Sequence, residues 1–199
     1  QWGWVERAIL TLLDTGYWDD LEIRFPLTYR KQVEAEAKRH QIDPAWIFAV
    51  MRQESAFMDD ARSHAGAMGL MQLMPATAKR VAGWVGEEYD RGRLITDWQY
   101  NVRLGETYLS RRTEQFSGSY VMAAAAYNAG AGRVDQWNGE FGDPRLGQID
   151  ILDWMEQIPF NETRNYVQRV MEGLYVYRSR LSGVSGAMTI EEDLMRGIR

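Results

Sequence analysis

Cysteine is absent from the 199-residue sequence, which excludes disulfide frameworks and thiolate chemistry. No long basic run is present and the formal net charge is −5, so a nucleic-acid partner is not expected. No stretch approaches membrane-spanning length without charged residues, so no membrane span is predicted. The only two histidines, His40 and His64, are too few and too isolated for a convincing metal site and are expected at the surface. We therefore predict neither a metal nor a cofactor.

Other catalytic signatures are missing as well. A Ser-His-Asp triad would need a nucleophile elbow, and the sequence has none. Gly130 and Gly132 do not form a phosphate-binding loop, because no strand precedes them and no Gly-Lys-Ser/Thr follows. No aspartate-rich loop has EF-hand spacing. These chemistries are therefore not favoured.

Helical periodicity runs through the chain. Hydrophobic residues make up 45% and charged residues 26% of the sequence, which is ordinary for a globular protein. No segment shows strand-like alternation of useful length, so the predicted fold class is all-α. Loops are predicted at 83–95 and 139–148. The predicted helices are 2–13 with a stop at Gly16, 29–40, one opened by Pro44, 75–82, a long one capped by Asp97 and ended by Gly118, 121–126, 131–137, 149–157 and a long one capped by Asn161.

Glu54 departs from the pattern of its helix. Asp43 is typical of an N-cap and Pro44 of a first helical position. The apolar stripe of the helix that they open carries Ile47, Val50 and Met51. The next position on that stripe is Glu54, and Phe57 follows, so the carboxyl is expected in poorly hydrated surroundings that favour its protonated form. A protonated Glu is a general acid, whereas the alternative is a solvated residue at a fraying helix end.

A loop rich in glycine and methionine follows Glu54. Residues 66–75 read Gly-Ala-Met-Gly-Leu-Met-Gln-Leu-Met-Pro. Gly66 and Gly69 permit close backbone turns, and Pro75 is well suited to the first position of a new helix. The methionines of the loop are either core filler or the lining of a ligand surface, because Met serves both purposes.

Three segments together resemble the soluble lytic transglycosylases of bacterial cell walls. The first joins Glu54-Ser-Ala-Phe to Ser63, nine positions after the Glu, and to the loop 66–75. The second is Ala126-Tyr-Asn-Ala-Gly, and the third is Ile-Pro-Phe-Asn-Glu-Thr-Arg-Asn-Tyr at 158–166. They lie in the order of that family, and the resemblance covers roughly residues 24 to 182. Three matched motifs are far more specific than one.

The resemblance implies a lysozyme-like helical domain that cleaves the β-1,4 bond between N-acetylmuramic acid and N-acetylglucosamine. Glycosidases commonly use two carboxylates, but only one stands in this motif, and Asp59 and Asp60 are expected to be solvated. In the family one Glu acts twice, so Glu54 would be the acid and then the base that closes a 1,6-anhydro ring. The alternatives are a lysozyme-type hydrolase of the same bond and a non-catalytic wall-binding domain.

The resemblance also implies which residues hold the glycan. The implied substrate-binding residues are Ser63, Gln72, Met74, Ala126, Tyr127, Asn128, Glu162 and Tyr166. The rest of the loop around Gln72 and Met74 would pack inward. Plain structural alternatives remain open: a turn-forming Ser63, a core Tyr127, Asn128 as a helix stop and Glu162 as a favourable first-turn acid.

The domain organisation is predicted as a helical segment 1–27, a catalytic domain 28–182, and a linker with a C-terminal tail 183–199. The first segment resembles the last helices of the superstructure that precedes the catalytic domain in the larger enzymes. The tail shows a weak helical pattern, and it is expected either to be disordered or to pack elsewhere. No signal peptide is visible at Gln1, which fits a mature terminus or a piece of a longer protein.

The resemblance places the protein in the periplasm, with peptidoglycan glycan strands as its partner. Cell-wall synthesis or division proteins are further candidate partners, and a monomer is expected.

Overall fold

The computed structural model describes residues 5, 7–9, 11, 20–183 and 190–198. Residues 5, 7–9 and 11 are helical, in agreement with the predicted first helix, and the predicted stop at Gly16 lies outside the described residues. The helices that follow are α1 Leu21–Arg24, α2 Arg30–His40, α3 Pro44–Ser55, α4 Pro75–Val85, α5 Arg93–Thr96, α6 Trp98–Gln115, α7 Tyr120–Ala129, α8 Ala131–Phe141, a 3₁₀ turn Pro144–Leu146, α9 Ile151–Glu156, α10 Asn161–Ser182 and α11 Ile190–Leu194.

The all-α prediction is confirmed. The described residues contain no strand, and their only bridges of β type are the isolated pairs Arg62–Met68 and Met68–Leu73. No helix in the described part of the chain is both long enough and apolar enough to cross a membrane.

The chain divides into two compact units, Gln1–Thr107 and Tyr108–Arg199, and the division falls inside α6. In the first unit, α2 packs against α3. In the second unit, α7 packs against α8 and α10, and α11 contacts both α7 and α10. The domain boundaries given above for 1–27, 28–182 and 183–199 stay a prediction.

Helix α3 forms the interior of the first unit. The Asp43 carboxylate accepts a hydrogen bond from the Ala45 N–H at 2.8 Å, and Pro44 occupies the first turn, both as predicted. All seven residues from Ala45 to Met51 are buried, which is the pattern of a helix enclosed on every side. The helix ends at Ala56, whose N–H still reaches the Arg52 carbonyl at 3.1 Å.

Two predicted helices end a few residues too early. Helix α4 does not stop near Gly83 but runs on to Val85, and Arg80 stacks over the Trp84 ring one turn later at 5.6 Å. Helix α8 likewise continues to Phe141, where the predicted helix 131–137 stopped early. A glycine inside a helix costs only about 1 kcal/mol, so side-chain contacts across the turn outweigh it.

The start of α10 is displaced by one residue from its prediction. Phe160 is the N-cap, and Asn161 is the first helical residue, with no side-chain cap. The Asn161 amide oxygen instead accepts a hydrogen bond from Arg164 at 2.7 Å. Short helices also interrupt the loops predicted at 83–95 and 139–148.

The core of the second unit follows the predicted apolar stripe of α10. Its five predicted members are all buried: Val167, Val170, Met171, Leu174 and Tyr177. The weak helical pattern of the tail corresponds to α11, which an ion pair between Asp193 and Arg178 of α10 holds in place. Gly197 lies so close to the Ser117 carbonyl that an added Cβ would stand 2.7 Å from its oxygen, so the tail end is closely docked.

Candidate active site

Glu54 lies in the last turn of α3 and is partly buried. The Ser55 hydroxyl donates to the Met51 carbonyl at 3.2 Å and accepts from the Phe57 N–H at 3.2 Å, so this helix end is fixed by its own side chain. Partial burial and this closed hydrogen-bonded turn argue against the alternative of a fully solvated acid at a fraying end. Glu54 therefore lies at an ordered helix terminus.

The backbone just after Glu54 is strained. Ala56 and Phe57 have φ values of 49° and 68°, a left-handed conformation that costs side-chain-bearing residues about 1–3 kcal/mol each. Phe57 is only 5% exposed, and its ring lies 6.2 Å from that of Phe48. Packing of an aromatic ring therefore holds a turn that the local sequence disfavours. Such strain is concentrated at functional sites.

The two aspartates that follow Glu54 are exposed, in line with their predicted solvation. Asp59 accepts a hydrogen bond from the Tyr29 hydroxyl. Burial of the phenol, followed by the negative charge of Asp59 and this hydrogen bond, raises the pKa of Tyr29 to about 12. Asp59 thus serves as a partner of Tyr29.

The loop 66–75 folds into a tight, inward-packed structure. Met68 and Leu73 exchange two backbone hydrogen bonds of 3.0 and 3.1 Å, and the Gly69 N–H donates to the Ala61 carbonyl at 2.9 Å. Met68, Leu70, Met71 and Leu73 are buried, which confirms that the rest of the loop packs inward. Met74 is 43% exposed and is the methionine of this loop that faces solvent.

Asn101, which the sequence reasoning missed, pins this loop. Its amide nitrogen donates to the carbonyls of Met68 at 2.8 Å and Leu94 at 3.0 Å, and its oxygen accepts from the Met71 N–H at 2.8 Å. The side chain is fully buried on α6. The sequence signal that could have revealed it is an Asn beside apolar helix positions such as Val102. A buried amide requires hydrogen-bond partners, so such an Asn is expected to bond another segment.

Two glycines let the loop approach α6. A Cβ on Gly69 would stand 2.2 Å from the Leu94 carbonyl oxygen and 2.3 Å from the Asn101 amide nitrogen. A Cβ on Gly105 would stand 2.4 Å from the Met71 sulfur. The position of the loop therefore depends on the absence of side chains at these two residues.

Gln72 and Ser63 both have roles inside this loop region. The Gln72 amide nitrogen donates to the carbonyls of Ala61 at 3.1 Å and Gly69 at 2.8 Å, and its backbone is left-handed with φ 43°. The Ser63 hydroxyl accepts from the Ala67 N–H at 3.0 Å, and Ser63 is exposed. Ser63 thus has the turn-forming role that was its structural alternative, while its exposed side leaves it accessible to a ligand.

The second unit gathers the other predicted binding residues around the end of α7. Asn128 accepts a hydrogen bond of 2.7 Å from the hydroxyl of Thr163 in the first turn of α10. The Tyr127 ring lies 5.3 Å from the Tyr108 ring and is partly buried. Ala126 is fully buried, so its side chain has no surface that a ligand could contact. Thr163 lies within the third motif, but its hydrogen bond was not predicted from the sequence.

The first turn of α10 presents Glu162 to solvent, while Tyr166 one turn later is only 5% exposed. Arg164 donates to the carbonyls of Glu156 at 3.0 Å and Ile158 at 3.1 Å, and so fixes the segment that leads into this helix. Glu162 therefore projects from a rigid helix terminus next to the Thr163–Asn128 hydrogen bond.

The second unit also contains a cavity of about 520 Å³. None of the predicted site residues lines it. Its lining residues are Asp150, Ile151, Leu152, Glu191, Glu192, Leu194 and Met195.

The two histidines differ from each other. His64 is exposed, as predicted. The expectation that His40 is an isolated surface residue is wrong, because its ring lies beside Glu36, Glu106 and Thr107 and is partly buried.

Comparison with known proteins identifies relatives for almost the whole chain. The soluble lytic murein transglycosylase of Escherichia coli K12 is 35% identical over 176 residues, which are 88% of this chain and 27% of the relative. The solved structure of an inactive glutamate-to-glutamine mutant of lytic transglycosylase Slt from Pseudomonas aeruginosa has a TM-score of 0.83 and 44% identity, over 95% of this chain and 30% of that one. A complex of a 70-kDa soluble lytic transglycosylase with bulgecin A has a TM-score of 0.85 and 34% identity, over 94% of this chain and 30% of that one.

These neighbours confirm the predicted lysozyme-like all-α fold. The chain spans less than a third of the length of the relatives that it matches. Residues 157–185 match the model of the soluble lytic transglycosylase helical domain. Residues 31–146, more than half of the chain, match the model of the transglycosylase SLT domain, and the chain therefore belongs to the soluble lytic transglycosylase family.

Proposed function

We propose that the chain is the catalytic part of a peptidoglycan lytic transglycosylase that cleaves the β-1,4 bond between N-acetylmuramic acid and N-acetylglucosamine. The observation that carries this proposal is Glu54, a partly buried acid at an ordered helix end in a member of this family. The Pseudomonas aeruginosa relative is inactive as a glutamate-to-glutamine mutant, a loss that a mechanism based on a single Glu accounts for.

In the proposed mechanism Glu54 acts twice. Its carboxyl first donates a proton to the glycosidic oxygen as the bond from that oxygen to C1 of the muramic acid breaks. The resulting carboxylate then takes the proton of the C6 hydroxyl, whose oxygen forms a new bond to C1. The product carries a 1,6-anhydro ring, and Glu54 regains its starting proton. The N-acetyl group at C2 can assist at C1, as in substrate-assisted glycosidases.

The predicted substrate-binding residues of each unit are proposed to contact the glycan. In the first unit, Ser63, Gln72 and Met74 lie on or beside the loop that Asn101 fixes, and Met74 offers an exposed apolar surface. In the second unit, Tyr127, Asn128, Glu162 and Tyr166 offer phenol, amide and carboxylate groups at two helix ends. Groups of this kind, held rigidly, suit the hydroxyl and N-acetyl groups of amino sugars.

Replacement of Glu54 by glutamine tests the catalytic role. The Glu54→Gln variant keeps the size of the side chain, but its amide is not an acid that can donate a proton to the leaving oxygen. Digestion of purified sacculi is therefore expected to fall by about 10²–10⁴-fold. Glu114→Gln, which changes an exposed Glu on α6, is the matched control and should retain full activity. Undiminished digestion by Glu54→Gln would remove the catalytic assignment.

Mass spectrometry of the products separates the possible reactions. Anhydromuramic ends support the transglycosylase, whereas reducing ends would indicate a lysozyme-type hydrolase. If the unaltered chain binds glycan but does not cleave it, the chain is a non-catalytic wall-binding domain. Bulgecin A, which a related enzyme binds in its solved complex, is expected to compete with the glycan.

We propose a periplasmic location, because the glycan strands of the proposed substrate are found there. The relatives include proteins named soluble and membrane-bound lytic murein transglycosylases, which supports a cell-wall setting. Secretion of an enzyme fusion reporter, followed by fractionation, tests this location. We further propose that the chain acts as a monomer and that cell-wall synthesis or division proteins recruit it.

A further inference from the structure

Glu106 on α6 is a buried acid that the proposed mechanism does not use. The side chain is fully buried, and neither carboxylate oxygen has a hydrogen-bond partner. Burial, and then the negative charge of Glu36, raise the pKa of Glu106 to about 9, while the positive charge of Arg39 lowers it. A buried carboxyl is costly without a partner, and an unsatisfied one points to a ligand such as an ion.

Two further ligand groups lie beside this carboxyl. Glu36 and His40 are four residues apart on α2, so they share one face of that helix. The ligand atoms of Glu36, His40 and Glu106 all lie within 4.8 Å of one another. The Glu36 side chain is 16% exposed; its Oε1 accepts from Arg39 at 2.9 Å, and its Oε2 is buried with no hydrogen-bond partner.

The environment of His40 leaves one ring nitrogen available as a ligand. The Thr107 hydroxyl donates its proton to the Arg103 carbonyl at 2.8 Å, so its oxygen is free to accept from the His40 Nε2, which lies 3.4 Å away. A protonated Nε2 leaves Nδ1 with its lone pair. Metal-bound histidines in proteins are usually oriented by a hydrogen bond of this kind from the other nitrogen.

We propose that Glu36, His40 and Glu106 bind a divalent transition-metal ion of the Zn²⁺ class, which links α2 to α6. Two carboxylates balance the charge of such an ion, and three protein ligands with a water complete a tetrahedral shell. Ligand atoms in that shell lie roughly 3.4 Å apart, so small rotations of the three side chains, which already lie within 4.8 Å of one another, would complete the shell. An imidazole ligand and so few oxygens disfavour Ca²⁺ and Mg²⁺.

The site has a structural role that is independent of the proposed function. Helix α2 packs against α3, which carries Glu54, and α6 carries Asn101, which pins the loop 66–75. An ion between α2 and α6 therefore cross-links the helices on which the first unit depends. No step of the glycan chemistry passes through it.

Calorimetric titration of the whole, chelator-treated chain with ZnCl₂ tests the proposal. One ion is expected to bind per chain, and a hundredfold excess over the dissociation constant should raise the unfolding temperature by roughly 5–10 °C. Co²⁺ in place of Zn²⁺ should give the visible absorption of a four-coordinate site with a nitrogen ligand. Mg²⁺ and Ca²⁺ should bind far more weakly.

Variants of the three ligands identify the site. His40→Gln, Glu36→Gln and Glu106→Gln should each lower the Zn²⁺ affinity by at least about tenfold, because loss of a ligand exceeds the effect of a neighbouring residue. The matched controls are His64→Gln and Glu34→Gln, which change the other histidine and another Glu of α2, and both should bind as the unaltered chain does. If Glu106→Gln does not fold, the Zn²⁺ affinity of His40→Gln decides, because His40 is partly exposed and its replacement is better tolerated.

Two results would overturn the proposal. One is the absence of Zn²⁺ binding by the unaltered chain. The other is undiminished binding, with an unchanged Co²⁺ spectrum, in both His40→Gln and Glu36→Gln. Binding of Mg²⁺ or Ca²⁺ more tightly than Zn²⁺ would contradict the class of ion.

Discussion

The loop 66–75 of the first unit and the α7–α10 junction of the second unit hold their predicted binding residues in different ways. The loop relies on backbone geometry: Gly69 has φ +76°, Gln72 has φ 43°, and the buried Asn101 makes three hydrogen bonds with the chain around them. At the junction, regular helix ends are joined by a side-chain hydrogen bond from Thr163 to Asn128.

The two regions are expected to be sensitive to different substitutions. A loop with left-handed residues keeps its shape only while buried partners over-determine it, so one substitution at a close contact can release the whole segment. Helix ends keep their backbone through their own periodic hydrogen bonds, so loss of one side-chain bond leaves the helices in place. We therefore expect large stability losses in the loop and small, local ones at the junction.

The largest effect is expected from Gly69→Ala. A Cβ at this position would stand 2.2 Å from the Leu94 carbonyl oxygen, a backbone atom that cannot move aside without disturbing its own segment. We expect a loss of about 4 kcal/mol or more in the free energy of unfolding, measured by urea denaturation.

Gly66→Ala is the matched control for this change. Gly66 belongs to the same loop and has φ +91°, but a Cβ there would meet no atom within 4 Å. Its cost should be the conformational strain alone, about 1–2 kcal/mol. Equal losses in the two variants would show that close contact with Leu94 does not matter.

A somewhat smaller loss is expected from Asn101→Ala. The change leaves the Met68 and Leu94 carbonyls and the Met71 N–H without their buried partner, and each such group costs about 1–3 kcal/mol. We predict a loss of about 3 kcal/mol in urea unfolding. Asn165→Ala, at an exposed position on α10, should change stability by less than about 0.5 kcal/mol. A small effect of Asn101→Ala would mean that the loop is held by its own turns.

The sequence predicted the features that depend on near neighbours. The N-caps Asp43 and Asp97 accept from the N–H groups of Ala45 and Tyr100, two and three residues along the chain, as the pattern indicated. The apolar stripe of α10 is buried because a period of 3.6 residues places it on one face. The apolar stripe of its helix singled out Glu54, and the resemblance of three short motifs then indicated the family.

Features that depend on residues far apart in the sequence were not predicted. Asn101 bonds residues 30 and 33 positions away, and no local pattern reveals which helical Asn will be buried. The left-handed turn at Phe57 exists because its ring packs beside Phe48, which overrides local preference. Glu106 lies beside Glu36 and His40 only after α2 and α6 have packed together. The spacing of the two histidines in the sequence therefore could not reveal this cluster.

At the α7–α10 junction, Thr163→Val should cost about 1 kcal/mol, because the isosteric change removes one hydrogen bond and fills the same space. A double-mutant cycle with Asn128→Ala should give a coupling energy of about 1 kcal/mol, since both variants remove the same bond. Under the proposed function, Thr163→Val should also raise KM for glycan strands more than it lowers kcat. Additive losses in the cycle would show that the bond does not join the two helix ends.

The smallest effect comes from an ion pair of the second unit. Arg145 donates to both carboxylate oxygens of Asp143, and these hydrogen bonds hold the pKa of Asp143 below its usual range, against the effect of burial. Because the folded-state pKa is the lower one, the pair stabilises the fold above about pH 4 and loses its effect as the pH falls through the folded value. Asp143→Asn should therefore cost about 0.5–1 kcal/mol at pH 7, and the difference from the unaltered chain should close in acid. The measurement is urea unfolding followed from about pH 7 to about pH 3. Asp60→Asn, at an exposed position of the first unit, is the control and should change the free energy of unfolding at pH 7 by less than about 0.5 kcal/mol. A gap for Asp143→Asn that stays constant over this range would show that its cost does not come from the charge of the carboxylate.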